Sequence, residues 1–379
     1  MAYETGVAAV KTLDRYILRT YVVSLGGAIV VFSISAVVLD FFGRLGRFAQ
    51  NDVITQGTTA EGMSRLEIFV VFYLSYLPFM LKLLIPFIAL GSAAFVVAAH
   101  LKANEVVAAK AAGISARRLW LPVLMGGLSL SAGLLLFQEY VVPSLNREHH
   151  NVRRLFEGTK ADVVRRLPHF RDGHGSVMVA GAYSFSERTL YNAVVFWPWE
   201  EDGFEAWIAP ELRASGNSWV APRGVRVSPQ APGGRPAGAE RPIRDLPPGT
   251  EVPFSVGTFE IEALISKRGT AELSLGQLNH LRHKFPDRRS LQVAYHKEIS
   301  HPFSAFALTL VGAGFFLAVR GSFYAKAVVV LLLGGVYFFF EIFCTSLGAR
   351  GDLPPVLAAY LPLSVFLSLG AARWWTLPT

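Results

Sequence analysis

Residues 21–39, YVVSLGGAIVVFSISAVVL, contain no Asp, Glu, Lys or Arg. A helix rises ~1.5 Å per residue, so about 20 apolar residues cross the ~30 Å hydrocarbon layer of a bilayer. This stretch therefore reads as a membrane span. Leu119–Gln138, His301–Val319 and Leu353–Ala372 are equally free of charge. Ile68–Ala99 is interrupted only by Lys82, and Ala327–Ala349 only by Glu341. Each reads as one span, which gives six. Ile68–Ala99 is longer than a bilayer requires, and Pro78 and Pro86 are expected to kink or divide it.

The composition agrees. Apolar residues make up 52% of the 379, charged residues only 17%, and the mean hydropathy is positive, values that belong to membrane proteins. No small-residue cleavage site follows the first span, which is longer than a signal-peptide core, so it is expected to stay in the protein. The one cysteine, Cys344, falls in the fifth span, so no intramolecular disulfide can form. The net charge of +8 reflects topology, because cytoplasmic loops collect Lys and Arg; no nucleic-acid partner is expected.

With the N-terminus cytoplasmic, the inner segments carry Lys11, Arg15, Arg19, Lys102, Lys110, Arg117, Arg118, Arg320, Lys326 and Arg373. The short outer loops carry only Arg44, Arg47, Arg65 and Arg350. Ten against four favours both termini inside and the soluble region outside, in the periplasm of a bacterium.

Three parts follow: residues 1–143 with spans one to three, a soluble domain at 144–296, and residues 297–379 with spans four to six. The soluble domain opens with a polar stretch, Ser144–Arg166, that reads as helix. Short β-rich runs come next at Ser176–Ala180, Leu190–Trp197, Phe204–Ala209, Ser218–Val220, Val225–Val227 and Thr258–Ile261. Turn formers such as Asp172-Gly173, Glu201-Asp202-Gly203 and Gly216-Asn217 separate them. The fold class expected is a membrane α-helical bundle of six transmembrane helices with an inserted periplasmic all-β, jelly-roll-like domain. Residues 231–253, APGGRPAGAERPIRDLPPGTEVP, are too poor in apolar side chains to build core and are expected to form a loop between strands.

No GxxxxGK[ST] occurs, nor any Gly-Lys pair, so any ATP hydrolysis must come from a partner. His280 and His283 are three apart, and His149 and His150 adjacent, but no Cys or carboxylate completes a metal set. No metal, cofactor, nucleophile elbow or catalytic acid pair is expected.

The connection between spans two and three reads HLKANEVVAAKAAGISARRLW (100–120). Leu101–Ala112 is rich in Ala, Glu and Lys, which favours helix, with Gly113 placed to cap it. Glu105, Ala108, Ala109 and Ala112 fall on one face, a carboxylate beside very small side chains, and such a face can lie against another protein. The plainer reading is a short amphipathic helix at the membrane surface, with Lys102, Lys110, Arg117 and Arg118 meeting the positive-inside rule.

At this point the sequence resembles the lipopolysaccharide-export permeases, the LptF/LptG family. EVVAAKAAGISARRLWLPV (105–123) is similar to the family's coupling segment, LDRYILRTYVVS (13–24) to its entry into the first span, and Pro78 with LLIPFIALGSAAF (83–95) to its second span. QEYVVPSLN (138–146) resembles the Glu-x-x-x-Pro exit from the third span, and APELRASGNSWV (209–220) a strand pair ending in Trp. YHKEISHPFSAFALTLVGAGFFLAVR (295–320) resembles the re-entry into the fourth. The Pro/Gly-rich insertion is the main departure.

The resemblance implies half of an ABC transporter. A paralogous permease would be its heterodimer partner, a cytoplasmic ATPase dimer its motor, and lipopolysaccharide its substrate among the membrane lipids. Substrate would enter between first and fifth spans of opposite subunits. It would leave through jelly rolls to a periplasmic bridge of similar β domains, some of them membrane-anchored. The two permease types are left open, the first-span region leaning to the G type. Glu105, with Ala109, Ala112 and Gly113, would couple to the ATPase.

Arg44 and Arg47, three apart beyond the first span, would either snorkel at the interface or hold substrate phosphates by bidentate hydrogen bonds. Lys82, ~25 Å along the helix from Ala99, would sit at the outer interface and ring the cavity mouth. Glu341 is an intramembrane carboxylate with either a structural partner, such as a nearby Arg or Ser, or a transport role, the former favoured. A permease for another lipid or a lipoprotein, a non-transporting scaffold and an intramembrane enzyme are the alternatives. The scaffold needs no coupling carboxylate, and the enzyme lacks any nucleophile, acid pair or metal set.

Overall fold

The computed structural model describes residues 2–49, 65–142, 144, 163–165, 167–199, 203–216, 218–230, 243–265, 273–318 and 322–377. Helices α1 (Ala2–Ala49), α2 (Arg65–Lys102), α3 (Glu105–Ala111) and α4 (Ala116–Leu136) come first, α4 running on into a π-helical turn at Phe137–Val141. Nine strands follow, and then α5 (Thr258–Ile265), α6 (Leu275–Lys284), α7 (Arg289–Ala318), α8 (Phe323–Arg350) and α9 (Pro355–Trp375). Among the described residues six helices, α1, α2, α4, α7, α8 and α9, are long and apolar enough to cross a membrane. Neither Pro78 nor Pro86 divides α2, since a proline forfeits one helical hydrogen bond without obliging the helix to end.

Span α7 is the hub of the bundle and packs on α9, α2, α4 and α8. Small residues let the backbones approach: a Cβ on Gly312 would stand 2.6 Å from the Leu90 carbonyl oxygen, and one on Gly127 2.8 Å from the Thr309 hydroxyl. By contrast, only 6% of the most apolar stretch of α1 is fully buried, the smallest share among the six spans, and Val22, Val23, Val30, Val31, Ile34 and Leu39 are exposed.

The strands are β1 (Val163–Arg165), β2 (Phe170–Arg171), β3 (Val177–Ser184), β4 (Thr189–Trp199), β5 (Gly203–Ser215), β6 (Ser218–Ala221), β7 (Val225–Gln230), β8 (Arg244–Leu246) and β9 (Thr250–Val252). Every pairing is antiparallel. The sheet forks on β5, whose Phe204–Ile208 half pairs with β7 while Arg213–Ser215 pairs with β6. Met178, Val195, Trp207 and Val227 face one another across four strands and define the core side of the sheet.

The structure corrects the sequence reading of this domain in three places. It is not all-β: Ile261 of α5, Leu278 and Leu281 of α6 and Leu291 of α7 share one core with the sheet. Thr258–Ile261 opens α5 and is not a strand. Alternation would bury Phe259 with Ile261, but Phe259 is 37% exposed and Ile261 fully buried. Of the Pro/Gly-rich segment, β8 and β9 pair with β7 and β6, so backbone hydrogen bonds supply there what side chains cannot. Residues 231–242 lie outside the described residues, as do most of Ser144–Arg166, whose end at Val163–Arg165 is strand.

At the junction of α5 and α6, Glu260 Oε1 accepts from Lys284 Nζ at 2.6 Å and lies 3.3 Å from His280 Nε2. Burial alone would raise this carboxyl; Lys284, the backbone and His280 outweigh it and hold it below the ordinary 4.5. A carboxyl lowered in the folded state contributes stability above its unfolded value and loses it as pH falls through the folded one. Glu260→Gln is therefore expected to lower the domain's melting temperature at neutral pH and to make little difference well below pH 4.5, as followed by thermal scans across pH.

Candidate functional site

At one end of the bundle, α2 stops at Lys102 and α3 begins at Glu105, so the helix expected over Leu101–Ala112 is broken at its start. Asn104 makes the break with a left-handed φ of 58°, which Asn tolerates. The far end closes on Gly113, φ +81°, in a Schellman motif. Gly113 N–H donates to Lys110 O and Ile114 N–H to Ala109 O, both at 3.0 Å. Val106 anchors α3 to the bundle and Ala109 packs beside it. Val107, Ala108, Lys110, Ala111, Ala112 and Gly113 stay exposed.

Glu105 is held from behind. Tyr16 of α1 donates its hydroxyl to Oε1 at 3.2 Å, and Oε2 lies 3.5 Å from Nε2 of the buried His100. Nδ1 of that ring sits 2.8 Å from Val96 O. A carbonyl can only accept, so Nδ1 carries the hydrogen and Nε2 is the position that turns to Glu105. Asp14 of α1 takes a bidentate pair from Arg118 at 3.0 and 2.6 Å, beside a cavity of about 280 Å³ lined by Leu13, Asp14, Gly113, Ile114, Ser115, Arg118 and Leu119.

Residues 15–376 match the family described as lipopolysaccharide export system permease LptF/LptG. The chain belongs to that family. The resemblance carried by the motifs is thus established over nearly the whole chain. Among curated proteins, none matches it. As a member of the LptF/LptG family it is a component of a transporter and not itself an enzyme. With six apolar helices it is a multi-pass protein of the inner membrane.

Two of the three basic residues expected to meet substrate are engaged within the chain. Arg44 Nε donates to Asp40 at 2.7 Å, and its guanidinium lies 5.6 and 5.5 Å from the ring centres of Phe72 and Tyr76. Tyr73 donates to the same Asp40 oxygen at 3.1 Å. This half-buried cluster fastens α1 to α2 through Asp40, which stands one residue past the uncharged run and carries no local sign of its partner Tyr73. The side chain of Arg47 lies outside the described residues.

Lys82, expected at the cavity mouth, is buried within the chain, with Nζ 2.5 Å from Glu298 Oε2. The sequence reading began the fourth span at His301 and left Glu298 outside, whereas α7 starts at Arg289 and carries Glu298 alongside α2. The partners of Glu341 are likewise not Arg or Ser but His301, 3.3 Å away through Nδ1, and Lys297 at 3.8 Å. His301 Nε2 sits 3.1 Å from Lys82 O, so it carries a hydrogen, and the Nδ1···carboxyl contact needs a second one, on His301 or on Glu341. Lys82–Glu298 and Lys297–Glu341–His301 are thus two charged groups across α2, α7 and α8, joined through the Lys82 carbonyl and buried except at Lys297.

The exit motif of the third span has a visible task. Gln138, fully buried in the π-helical turn, donates Nε2–H to Leu273 O at 2.6 Å. Glu139 Oε2 accepts the Leu275 amide at 3.0 Å, capping α6 and complementing its dipole. The motif fastens the bundle to the helical side of the soluble domain. Its residues were legible as a motif, but nothing in the sequence pointed to Leu273 and Leu275. Among the described residues no group of His, Cys, Asp and Glu is arranged to hold a metal, and His149 and His150 lie outside them.

Proposed function

We propose that this chain is one of the two permease subunits that draw lipopolysaccharide from the outer leaflet of the inner membrane and pass it to a periplasmic bridge. The Glu105 end is cytoplasmic and takes the ATPase, and the sheet domain, which serves as the family's jelly roll, is periplasmic. A paralogous permease completes the lipid cavity against the open apolar surface of the first span. The observation that carries the reading is α3, a short helix with an exposed small-residue face and a carboxylate held ready at its first turn, in a chain without a phosphate-binding loop. A docking groove that desolvates Glu105 against a basic side chain would give that pair far more weight than it has in water.

Substrate phosphates remain assigned to Arg44 and Arg47, Arg44 exchanging Asp40 for the headgroup; Lys82 is withdrawn from the set. The test is purification of the complex from membranes with mass spectrometry of its chains and lipids. A second permease, an ATPase and lipopolysaccharide are the expected companions. Recovery of another lipid or a lipoprotein in its place would overturn the substrate, and recovery of the permeases without an ATPase would overturn the docking.

A further inference from the structure

The cytoplasmic end of the first span is fastened at two points of the coupling segment, and by bonds of different strength. Farther along the segment, in the first turn of α4, Asp14 and Arg118 form a bidentate ion pair of two hydrogen bonds, at 3.0 and 2.6 Å. At the segment's start, Tyr16 holds Glu105 by a single hydrogen bond of 3.2 Å, on a ring that is 48% exposed. The fastenings lie two positions apart on α1, the helix with the least buried span in the bundle. Tyr16 is also set by its neighbour: its ring meets His100 edge-on at 5.5 Å, and His100 meets Trp120 at 5.6 Å. The hydroxyl is therefore aimed at Glu105 by a packed aromatic stack.

We propose that Tyr16 is a positioning residue for Glu105, through which the first span responds to whether the ATPase has engaged that carboxylate. The proposal rests on the docking reading above. A cation arriving from a partner competes with the phenol for the same carboxylate, and a charged donor is the stronger of the two. When Glu105 turns to the partner, α1 loses its bond at Tyr16 and keeps the ion pair at Asp14 and the buried Ile17 and Tyr21, so its attachment to α3 loosens while its attachment to the rest of the bundle stays. Docking and the position of the first span are thereby linked, and linkage is reciprocal: a lipid that displaces α1 alters the affinity of Glu105 for its partner.

The experiment uses the complete transporter in lipid nanodiscs, with purified lipopolysaccharide as the probe. Tyr16→Phe keeps the ring against His100 and removes only the hydroxyl. The expected result is retained ATPase binding with the ratio of lipid-stimulated to basal hydrolysis lowered about threefold or more, the scale of one ordinary hydrogen bond at an exposed site. In a Glu105→Gln background the same substitution is expected to add nothing, an interaction that a merely structural role would not produce. Unchanged stimulation in Tyr16→Phe, or an equal drop in both backgrounds, overturns the proposal. If Glu105→Gln weakens ATPase association while Tyr16→Phe changes nothing, the proposal alone falls. If Glu105→Gln leaves association at the wild-type level, the docking reading falls and takes the proposal with it.

Discussion

Glu105→Arg is expected to release the ATPase from the transporter and to stop lipopolysaccharide release, while the permease itself still folds and reaches the membrane. The carboxylate side chain is 41% exposed, so its replacement strands no buried charge, although the buried His100 Nε2 loses the carboxylate that faces it. Within the chain it gives up one hydrogen bond from Tyr16 and the approach of His100, which matters little to stability at such exposure. In a docked complex the same change replaces attraction by repulsion at a dry contact. Coupling energies for close charge pairs across interfaces run from about 1.5 to 7 kcal/mol, and every 1.4 kcal/mol is about tenfold in affinity. A loss of at least about tenfold follows, measured by titrating the ATPase onto permease in nanodiscs, with transport to the acceptor protein assayed in parallel. Full association after charge reversal would mean that α3 merely lies on the membrane surface.

The spans were legible in the sequence for a simple reason. Lipid demands about 20 apolar residues whatever the neighbours do, so Tyr21–Leu39 or Leu353–Ala372 announces itself without knowledge of the fold. The strands β3 to β7 were legible because their apolar residues cluster between turn formers. Gly113 was legible because a helix that ends on a left-handed residue favours glycine there. What could not be read depends on partners distant along the chain. The strands β8 and β9 have almost no apolar signal of their own and exist through pairing with β7 and β6. Asp40 gains its meaning only when α2 brings Tyr73 beside it. At the candidate site, Glu105 could be singled out from its own segment, but Tyr16 lies 89 residues away, and no local pattern marks it.

Lys82 illustrates the same limit and carries the larger stability effect. Its ammonium and the carboxylate of Glu298, 216 residues apart in sequence, are both buried where α2 meets α7. Lys82→Met removes one charge and strands the other in a low-dielectric site. Breaking a buried pair in this way costs about 3–5 kcal/mol, because the remaining ion has lost both water and partner. The double variant Lys82→Met with Glu298→Leu removes both desolvation penalties along with the attraction, and replacing a buried pair by apolar groups is often neutral or stabilising. Thermal unfolding of the purified protein in detergent should therefore show a large loss of melting temperature for Lys82→Met and recovery of most of it in the double variant. The pair is not isolated: His301 approaches the Lys82 carbonyl with one nitrogen and Glu341 of α8 with the other. If the chain of charges sets the register of α8 as well as holding α2 to α7, the double variant will recover its melting temperature but not its transport. Recovery of both would reduce the pair to a fastening between two helices, and failure to recover even the melting temperature would mean that Glu298 is held chiefly by groups other than Lys82.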